Sequence, residues 1–111
     1  MKEYLYVGHY YDEDGEYILK IGTTNNLERR RKEHTRNYRN NKSNPLPQNQ
    51  EFKYDWFIKL SKNNTLRYED LTRQTWKDEN IGVYLRNDRF LCSNKPEKVF
   101  VKIKKIYEIA L

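Results

Sequence analysis

The start of the chain alternates apolar and polar positions in a way that predicts a β-hairpin. In residues 3–10 the even positions are mostly tyrosines and the odd positions carry the aliphatic residues, as expected for a strand with two different faces. Residues 12–15 are polar and end in Gly15, which can adopt the left-handed conformation that a tight turn needs. Residues 17–21 are again apolar, and we expect them to return as the partner strand.

Helical spacing replaces this alternation in the next stretch. Residues 20–38 predict the end of the second strand, a turn at Gly22 and then a basic helix. Either Asn25 or Asn26 can cap the helix, because a side-chain oxygen there accepts a backbone N–H of the first turn. We expect the helix to fade around Asn40.

One stripe of this helix combines apolar residues with residues that can do chemistry. The positions at i, i+3, i+7 and i+11 are Leu27, Arg30, His34 and Tyr38. Arg29 has Glu33 at i+4 and belongs to an exposed flank, whereas Arg30 is aimed toward the sheet. A guanidinium aimed inward is costly unless an anion meets it. Arg30 is therefore a candidate phosphate ligand.

A loop and a third strand follow the basic helix. Residues 40–50 are rich in Asn, Gln and Pro, and their prolines exclude a helix or a central strand. Residues 51–60 alternate again and predict a strand. We expect Trp56 and Phe57 to lie in the core.

A second helix is predicted to begin at a cap formed by Asn64 or Thr65 and to end near Asp78. One of its stripes consists of Leu66, Glu69, Arg73 and Trp76. Glu69 on such a stripe has two interpretations. It is either a surface carboxylate paired with Arg73, or a functional group aimed at a site.

The last third of the chain carries a weaker pattern. Short apolar patches lie at residues 84–85 and 90–92. Residues 99–103 alternate and predict either an edge strand or the start of a final helix, so the role of residues 93–111 stays open.

Composition and charge add a direction to this outline. The chain has 111 residues, and we expect one domain over residues 1–111. Its charged fraction of 34% is high, but ten tyrosines supply apolar surface with polar tips. The formal charge is +6, and residues 20–42, with eight Lys or Arg against two Glu, account for the same value. Such clustering indicates either a polyanionic partner or a solvated helix face.

Several classes of protein are disfavoured by the same inspection. Cys92 is the single cysteine, which excludes an intrachain disulfide and a thiolate metal cluster. Apolar runs of membrane-spanning length and a signal-peptide pattern are missing. We expect a soluble, intracellular protein, in the cytoplasm or, in a eukaryote or its virus, in the nucleus.

A specific motif lies across the turn and the basic helix. It reads Ile-Gly-x-Thr-x-Asn-Leu-x-x-Arg-x-x-x-His and consists of Ile21, Gly22, Thr24, Asn26, Leu27, Arg30 and His34. These seven positions over fourteen residues resemble the second motif of the GIY-YIG nuclease superfamily, closest to its viral and phage branch, where Lys-Ile-Gly often stands for Tyr-Ile-Gly. The resemblance covers residues 3–92 and implies an α+β fold, a small three-stranded antiparallel sheet flanked by helices.

The resemblance also implies positions for the site residues. Its first tyrosine matches Tyr6, which is separated from Lys20 by thirteen residues, with Tyr10 as a rival that leaves only nine between. The glycine of the first motif is missing beside Tyr6. Glu69 matches the metal ligand of the superfamily in order and spacing. A polar residue that follows the second helix in other members is matched equally by Asn87 and Asn94.

Together these residues predict a Mg²⁺- or Mn²⁺-dependent DNA endonuclease. Arg30 would clamp a phosphate oxygen, Tyr6 with Lys20 would activate water, and Glu69 would bind the metal ion. His34 would relay a proton, or it would only hydrogen-bond to the sheet. The residues predicted to contact DNA are Thr24, Asn26, Arg29, Arg31, Lys32, Arg36 and Arg39.

Two further functional classes compete with this prediction. The first is a catalytically silent nucleic-acid-binding module of the same fold, and the second is a protein-interaction domain. The length leaves no room for a separate DNA-reading domain, so a nuclease would be weakly specific, a homo-oligomer, or dependent on a partner for sequence specificity.

Overall fold

The computed structural model describes residues 2–92, which form a five-stranded antiparallel sheet and two helices. In chain order the elements are β1 (Lys2–Tyr11), β2 (Tyr17–Thr24), α1 (Leu27–Arg39), β3 (Lys53–Ser61), α2 (Lys62–Asp78), β4 (Val83–Tyr84) and β5 (Arg89–Cys92). The strand order in the sheet is β3-β1-β2-β5-β4. The predicted α+β class is confirmed.

The predicted number of three strands is wrong, because β4 and β5 extend the sheet beyond β2. These strands are only two and four residues long. Alternation cannot be recognised over so few positions, and only tertiary pairing defines them as strands. The register places Lys20 of β2 opposite Arg89 of β5, so the added hairpin lies directly beside the basic motif. The interpretations placed on Asn94 and on residues 99–103 lie outside the described residues.

The alternation of β1 and β2 separates two apolar cores on the two faces of the sheet. One core contains Tyr6, Tyr10 and Ile18 with Tyr38 of α1. The other contains Leu5, Val7, Leu19 and Ile21 with Trp76 of α2. Helices α1 and α2 therefore pack on opposite faces of the sheet. Neither helix in this part of the chain has the length and apolar character needed to cross a lipid bilayer.

Local predictions around the first turn and helix were mostly right. Gly15 has φ +78°, as the hairpin turn requires. Asn26 caps α1, and its Oδ1 accepts a hydrogen bond from Arg29 N at 3.0 Å. Gly22 does not form a turn, because β2 continues to Thr24. Gly22 instead faces Tyr6 across the strands, where a Cβ would collide with the Tyr6 hydroxyl and ring.

Two expectations about α2 and β3 were wrong. Helix α2 begins at Lys62 directly after β3, and its N-cap Ser61 makes no side-chain capping bond. Thr65 is not a cap but is fully buried within the helix. Phe57 is 51% exposed rather than buried, since it lies on the outer strand β3, while Trp56 packs against the core beside Trp76.

Candidate active site

Tyr6 and His34 form the buried centre of the candidate site. The Tyr6 hydroxyl lies 2.5 Å from Nε2 of His34, and both side chains are at most 3% exposed. Burial raises the pKa of Tyr6 well above its ordinary value. Burial also lowers the pKa of His34 to about 3, helped by the positive charges of Arg30 and Lys20. Both groups are therefore neutral at pH 7, and one proton is shared along this hydrogen bond.

Arg30 connects this pair to solvent. Its guanidinium donates to Glu33 Oε2 at 2.8 Å and also approaches the Tyr6 hydroxyl as a donor. Arginine only donates, so the Tyr6 oxygen can only accept from Arg30. In the tautomer of His34 that is protonated on Nδ1, the Tyr6 hydroxyl donates to His34 Nε2. Arg30 is about one-third exposed, so one side of the fork stays accessible to a ligand.

Lys20 lies on the same face of the sheet, but it points toward the β4–β5 turn. Its Nζ donates to the backbone oxygen of Asn87 at 2.5 Å. Burial lowers the pKa of Lys20 to about 8, against the opposing charges of Asp88 and Glu69. The cation that opposes the rise in the pKa of Tyr6 is therefore Arg30 and not Lys20.

Glu69 of α2 acts on the same centre through its charge. Its negative charge acts on the pKa of both Tyr6 and Lys20, and so does the positive charge of Arg30. Glu69 is only 15% exposed and accepts a hydrogen bond from Arg73 at 3.1 Å. Burial raises the pKa of Glu69, and the neighbouring charge of Asp88 adds to that effect. Although their helices pack on opposite faces, Arg30 and Glu69 converge electrostatically on Tyr6 and Lys20.

Asp88 is a site residue that sequence reasoning missed. Arg73 binds it in a bidentate manner, with Nε to Oδ1 at 2.6 Å and Nη2 to Oδ2 at 3.0 Å. Burial opposes ionisation of Asp88, but the bonds from Arg73 outweigh it and keep its pKa below the ordinary value. Asn87 and Asp88 both have positive φ, of 60° and 57°. The Asn-Asp pair was the one available signal, since these residues tolerate that conformation in tight turns.

An open cleft of about 280 Å³ lies beside these groups. It is bounded by β2, by one face of α1 and by the β4–β5 turn. Its lining residues are Lys20, Arg30, His34, Asn37, Tyr38, Asn87 and Asp88. Three of the five predicted catalytic residues thus line one cavity, and one of them, His34, hydrogen-bonds to Tyr6.

Tyr10, the rival to Tyr6, has different partners. Its hydroxyl donates to the backbone oxygen of Asn44 at 3.0 Å and accepts from Arg89 Nη1 at 2.8 Å. Its ring stacks on Tyr38. The structure therefore brings Tyr6, rather than Tyr10, to Arg30 and His34.

Most of the α1 cations predicted to contact DNA have carboxylate partners. Arg29 pairs with Glu33, and Lys32 pairs with Glu28. Arg31 bridges Glu28 and Glu51, each at 2.9 Å. Arg39 donates to the backbone of Gln50, and Thr24 and Asn26 bond to each other at the start of the helix. Among the α1 cations that were predicted to contact DNA, Arg36 has neither a carboxylate nor a backbone partner within residues 2–92.

The donor set for a divalent cation is small. Residues 2–92 contain no group of three or more His, Cys, Asp or Glu side chains arranged to hold a metal ion. Glu69, with Asp88 nearby, fits the alternative in which Mg²⁺ keeps several waters and takes one or two carboxylates together with substrate phosphate. Burial is the main reason that the pKa of Glu69 is raised, with the negative charge of Asp88 second, and a bound cation would favour the ionised carboxylate.

Comparison with known proteins gives one family. The family model that matches is the T5orf172 domain, over residues 3–106. No curated protein and no solved structure matches the chain. The T5orf172 domain is phage-associated and usually linked to a GIY-YIG-like endonuclease fold, which agrees with a nucleic-acid-related role. Because the match spans nearly the whole chain, the protein belongs to the T5orf172 domain family.

Proposed function

We propose that this protein is a metal-dependent endonuclease that hydrolyses phosphodiester bonds in DNA. The observation that carries the proposal is one cleft that is lined by Arg30, Lys20 and Asp88. Arg73 bonds to both Asp88 and Glu69, which brings the Glu69 carboxylate of α2 to the side of this cleft. A protein that only bound nucleic acid would gain nothing from a nearly buried carboxylate, which repels phosphate.

The phosphate to be cleaved would lie in the cleft beside Arg30 and Lys20. The forked donors of Arg30 match two oxygens of a phosphate, and the Lys20 ammonium adds a point charge. Both groups would neutralise the negative charge that builds on the phosphoryl oxygens in the transition state. Burial is the main cause of the low pKa of His34, and the charges of Arg30 and Lys20 add to it. An anion in the cleft offsets these two charges, so binding of substrate raises the pKa of His34 and makes it a better base.

Tyr6 and His34 would remove the proton from the attacking water. As the water gives a proton to the Tyr6 oxygen, Tyr6 passes its own proton to His34 Nε2, and the resulting hydroxide attacks phosphorus. The P–O bond to the leaving sugar then breaks, and the alkoxide takes up a proton from a solvent water. His34 afterwards releases its acquired proton to solvent, which restores the neutral pair. This assignment replaces the tyrosine–lysine pair of the sequence prediction, because Lys20 bonds to Asn87 and Arg30 is the cation at Tyr6.

Glu69 would hold Mg²⁺ or Mn²⁺, with water and substrate phosphate completing the coordination. Such an ion would neutralise charge at the phosphoryl and leaving oxygens. The role of this chain is to supply one carboxylate from α2, orient it through Arg73 and keep it close to Tyr6 and Lys20.

Nicking of supercoiled plasmid in Mg²⁺ tests the proposal. We expect the wild type to nick, and we expect Glu69→Gln and Arg30→Ala to lose about 100-fold or more of the rate. Asp70→Asn is the matched control, because Asp70 also bonds to Arg73 but is 73% exposed. If Glu69→Gln and Asp70→Asn nick at the same rate as the wild type, the proposal is wrong. DNA retention without nicking by the wild type would favour the silent binding module.

A further inference from the structure

A second cleft, of about 700 Å³, opens next to the candidate active site. One wall is the loop that follows α1, and the other is the β4–β5 hairpin. Its lining includes three cations, Lys42, Arg86 and Arg89, and contains no carboxylate. We call this cleft the hairpin groove. Its remaining polar lining consists of uncharged side chains, so the charged groups that line the groove are all positive.

Arg89 is the most unusual member of the groove, because it is a buried cation. It is 5% exposed, lies over the ring of Tyr38 at 5.3 Å and donates to the Tyr10 hydroxyl and the backbone oxygen of Arg86. No carboxylate in residues 2–92 lies within 4 Å of it. A buried guanidinium without a counter-ion is costly, which favours binding of an anion from the groove.

The hairpin groove adjoins the first cleft, because residues that line the one contact or neighbour residues that line the other. Tyr38 lines the first cleft and contacts Arg89, which lines the groove. Asn87 belongs to the first cleft, and Arg86, its neighbour in the chain, belongs to the groove. A polyanionic chain that leaves the first cleft in this direction would meet the three groove cations in succession.

The exposed flank of α1 offers a weaker surface for the same ligand. Three of its cations, Arg29, Arg31 and Lys32, already pair with glutamates, so a phosphate would have to compete with carboxylates there. Arg36 is the exposed cation of α1 without such a partner in residues 2–92. Lys42 and Arg86 are exposed and, within the described part of the chain, have no carboxylate partner. Charge complementarity therefore favours the groove over the helix flank.

We propose that the hairpin groove holds the DNA strand on one side of the phosphate to be cleaved, through contacts of Lys42, Arg86 and Arg89 with its phosphates. This inference rests on the proposed function for the identity of the strand and of the cleaved phosphate. Phosphate contacts of this kind position the strand without reading its sequence. The groove thus replaces the exposed flank of α1 as the main site of DNA affinity.

The test measures DNA affinity against salt concentration in the Glu69→Gln background, with labelled single-stranded and duplex oligonucleotides. We expect Lys42→Gln/Arg86→Gln to bind at least about tenfold more weakly near 0.1 M salt. The log–log salt slope should lose about 1.4 for single-stranded or about 1.8 for duplex DNA, for two lost contacts. The matched control, Lys62→Gln/Arg67→Gln, removes two exposed cations from α2 and should change affinity less than threefold.

A third pair, Arg29→Gln/Lys32→Gln, tests the competing flank of α1. If this pair loses as much DNA affinity as the groove pair, or more, the groove proposal is wrong. It is also wrong if an RNA of the same sequence binds tenfold more tightly than the DNA. Circular-dichroism melting confirms that each variant is folded. If Lys42→Gln/Arg86→Gln, made without Glu69→Gln, nicks DNA as fast as the wild type, the groove proposal is wrong and the nuclease proposal stands. If the groove pair weakens DNA binding but the wild type does not nick DNA, the groove proposal stands and the nuclease proposal is wrong.

Discussion

The single most informative hydrogen bond is the one between Tyr6 and His34, since it makes the tyrosine hydroxyl part of a proton path. We predict that Tyr6→Phe slows nicking by about 100-fold or more, the contribution expected of general base catalysis. Tyr54→Phe is the control. Its ring lies 5.0 Å from that of Tyr6, but its hydroxyl donates to the backbone of Leu27. Nicking rates measured for both variants check the prediction, which equal rates would contradict.

The His34 side chain predicts a specific pH dependence of stability. Its pKa is about 3 in the folded protein against an ordinary 6.5, so the unfolded chain binds the extra proton first. Stability is therefore lost as pH falls from 6.5 toward 3. Between pH 7 and pH 5, protonation of His34 in the unfolded chain should lower the free energy of unfolding by about 2 kcal/mol. The His34→Gln variant should not show this decrease. Urea unfolding of both proteins at the two pH values measures it, and parallel losses would show that His34 is not buried as a neutral group.

At the level of elements, sequence patterns predicted β1, β2, α1, β3 and α2, because each is long enough to display its period. They missed β4 and β5, which are too short, and they misplaced the start of α2, where no capping side chain is used. The turn that the sequence predicts at Gly22 is not formed. This glycine makes room for Tyr6 on the neighbouring strand instead.

This strand contact gives a prediction for β2. We expect Gly22→Ala to cost about 1–3 kcal/mol, as for an overpacked core, because the new Cβ collides with the Tyr6 ring, which His34 and Tyr54 hold in place. In a Tyr6→Leu background the ring is gone, and the same substitution should cost at least 1 kcal/mol less, by roughly the coupling expected for touching residues. A double-mutant cycle by chemical denaturation measures the difference. Additive costs would contradict the contact.

For the whole molecule, the site is assembled from parts that no local pattern connects. The spacing within α1 was sufficient to place Arg30 and His34 on one stripe, whereas Glu69 was chosen as a site residue only through the family resemblance. Asp88 and its bond to Arg73 depend on how the β4–β5 hairpin docks against α2, which only the folded structure shows. The guanidinium of Arg73 joins the hairpin to α2, because it binds both Glu69 and Asp88.

Arg73 therefore couples the stability of the whole domain to the charge of the candidate metal site. Arg73→Gln should destabilise the protein by about 1–3 kcal/mol, since it leaves two partly buried carboxylates without their shared cation. If Glu69 and Asp88 bind a divalent cation, Mg²⁺ should restore part of this loss, by about 1.4 kcal/mol at ten times its Kd. Thermal unfolding with and without Mg²⁺ measures both effects, with the exposed Arg67→Gln as control. If Arg73→Gln loses stability and Mg²⁺ restores none of it, Glu69 and Asp88 are not the place where the ion binds.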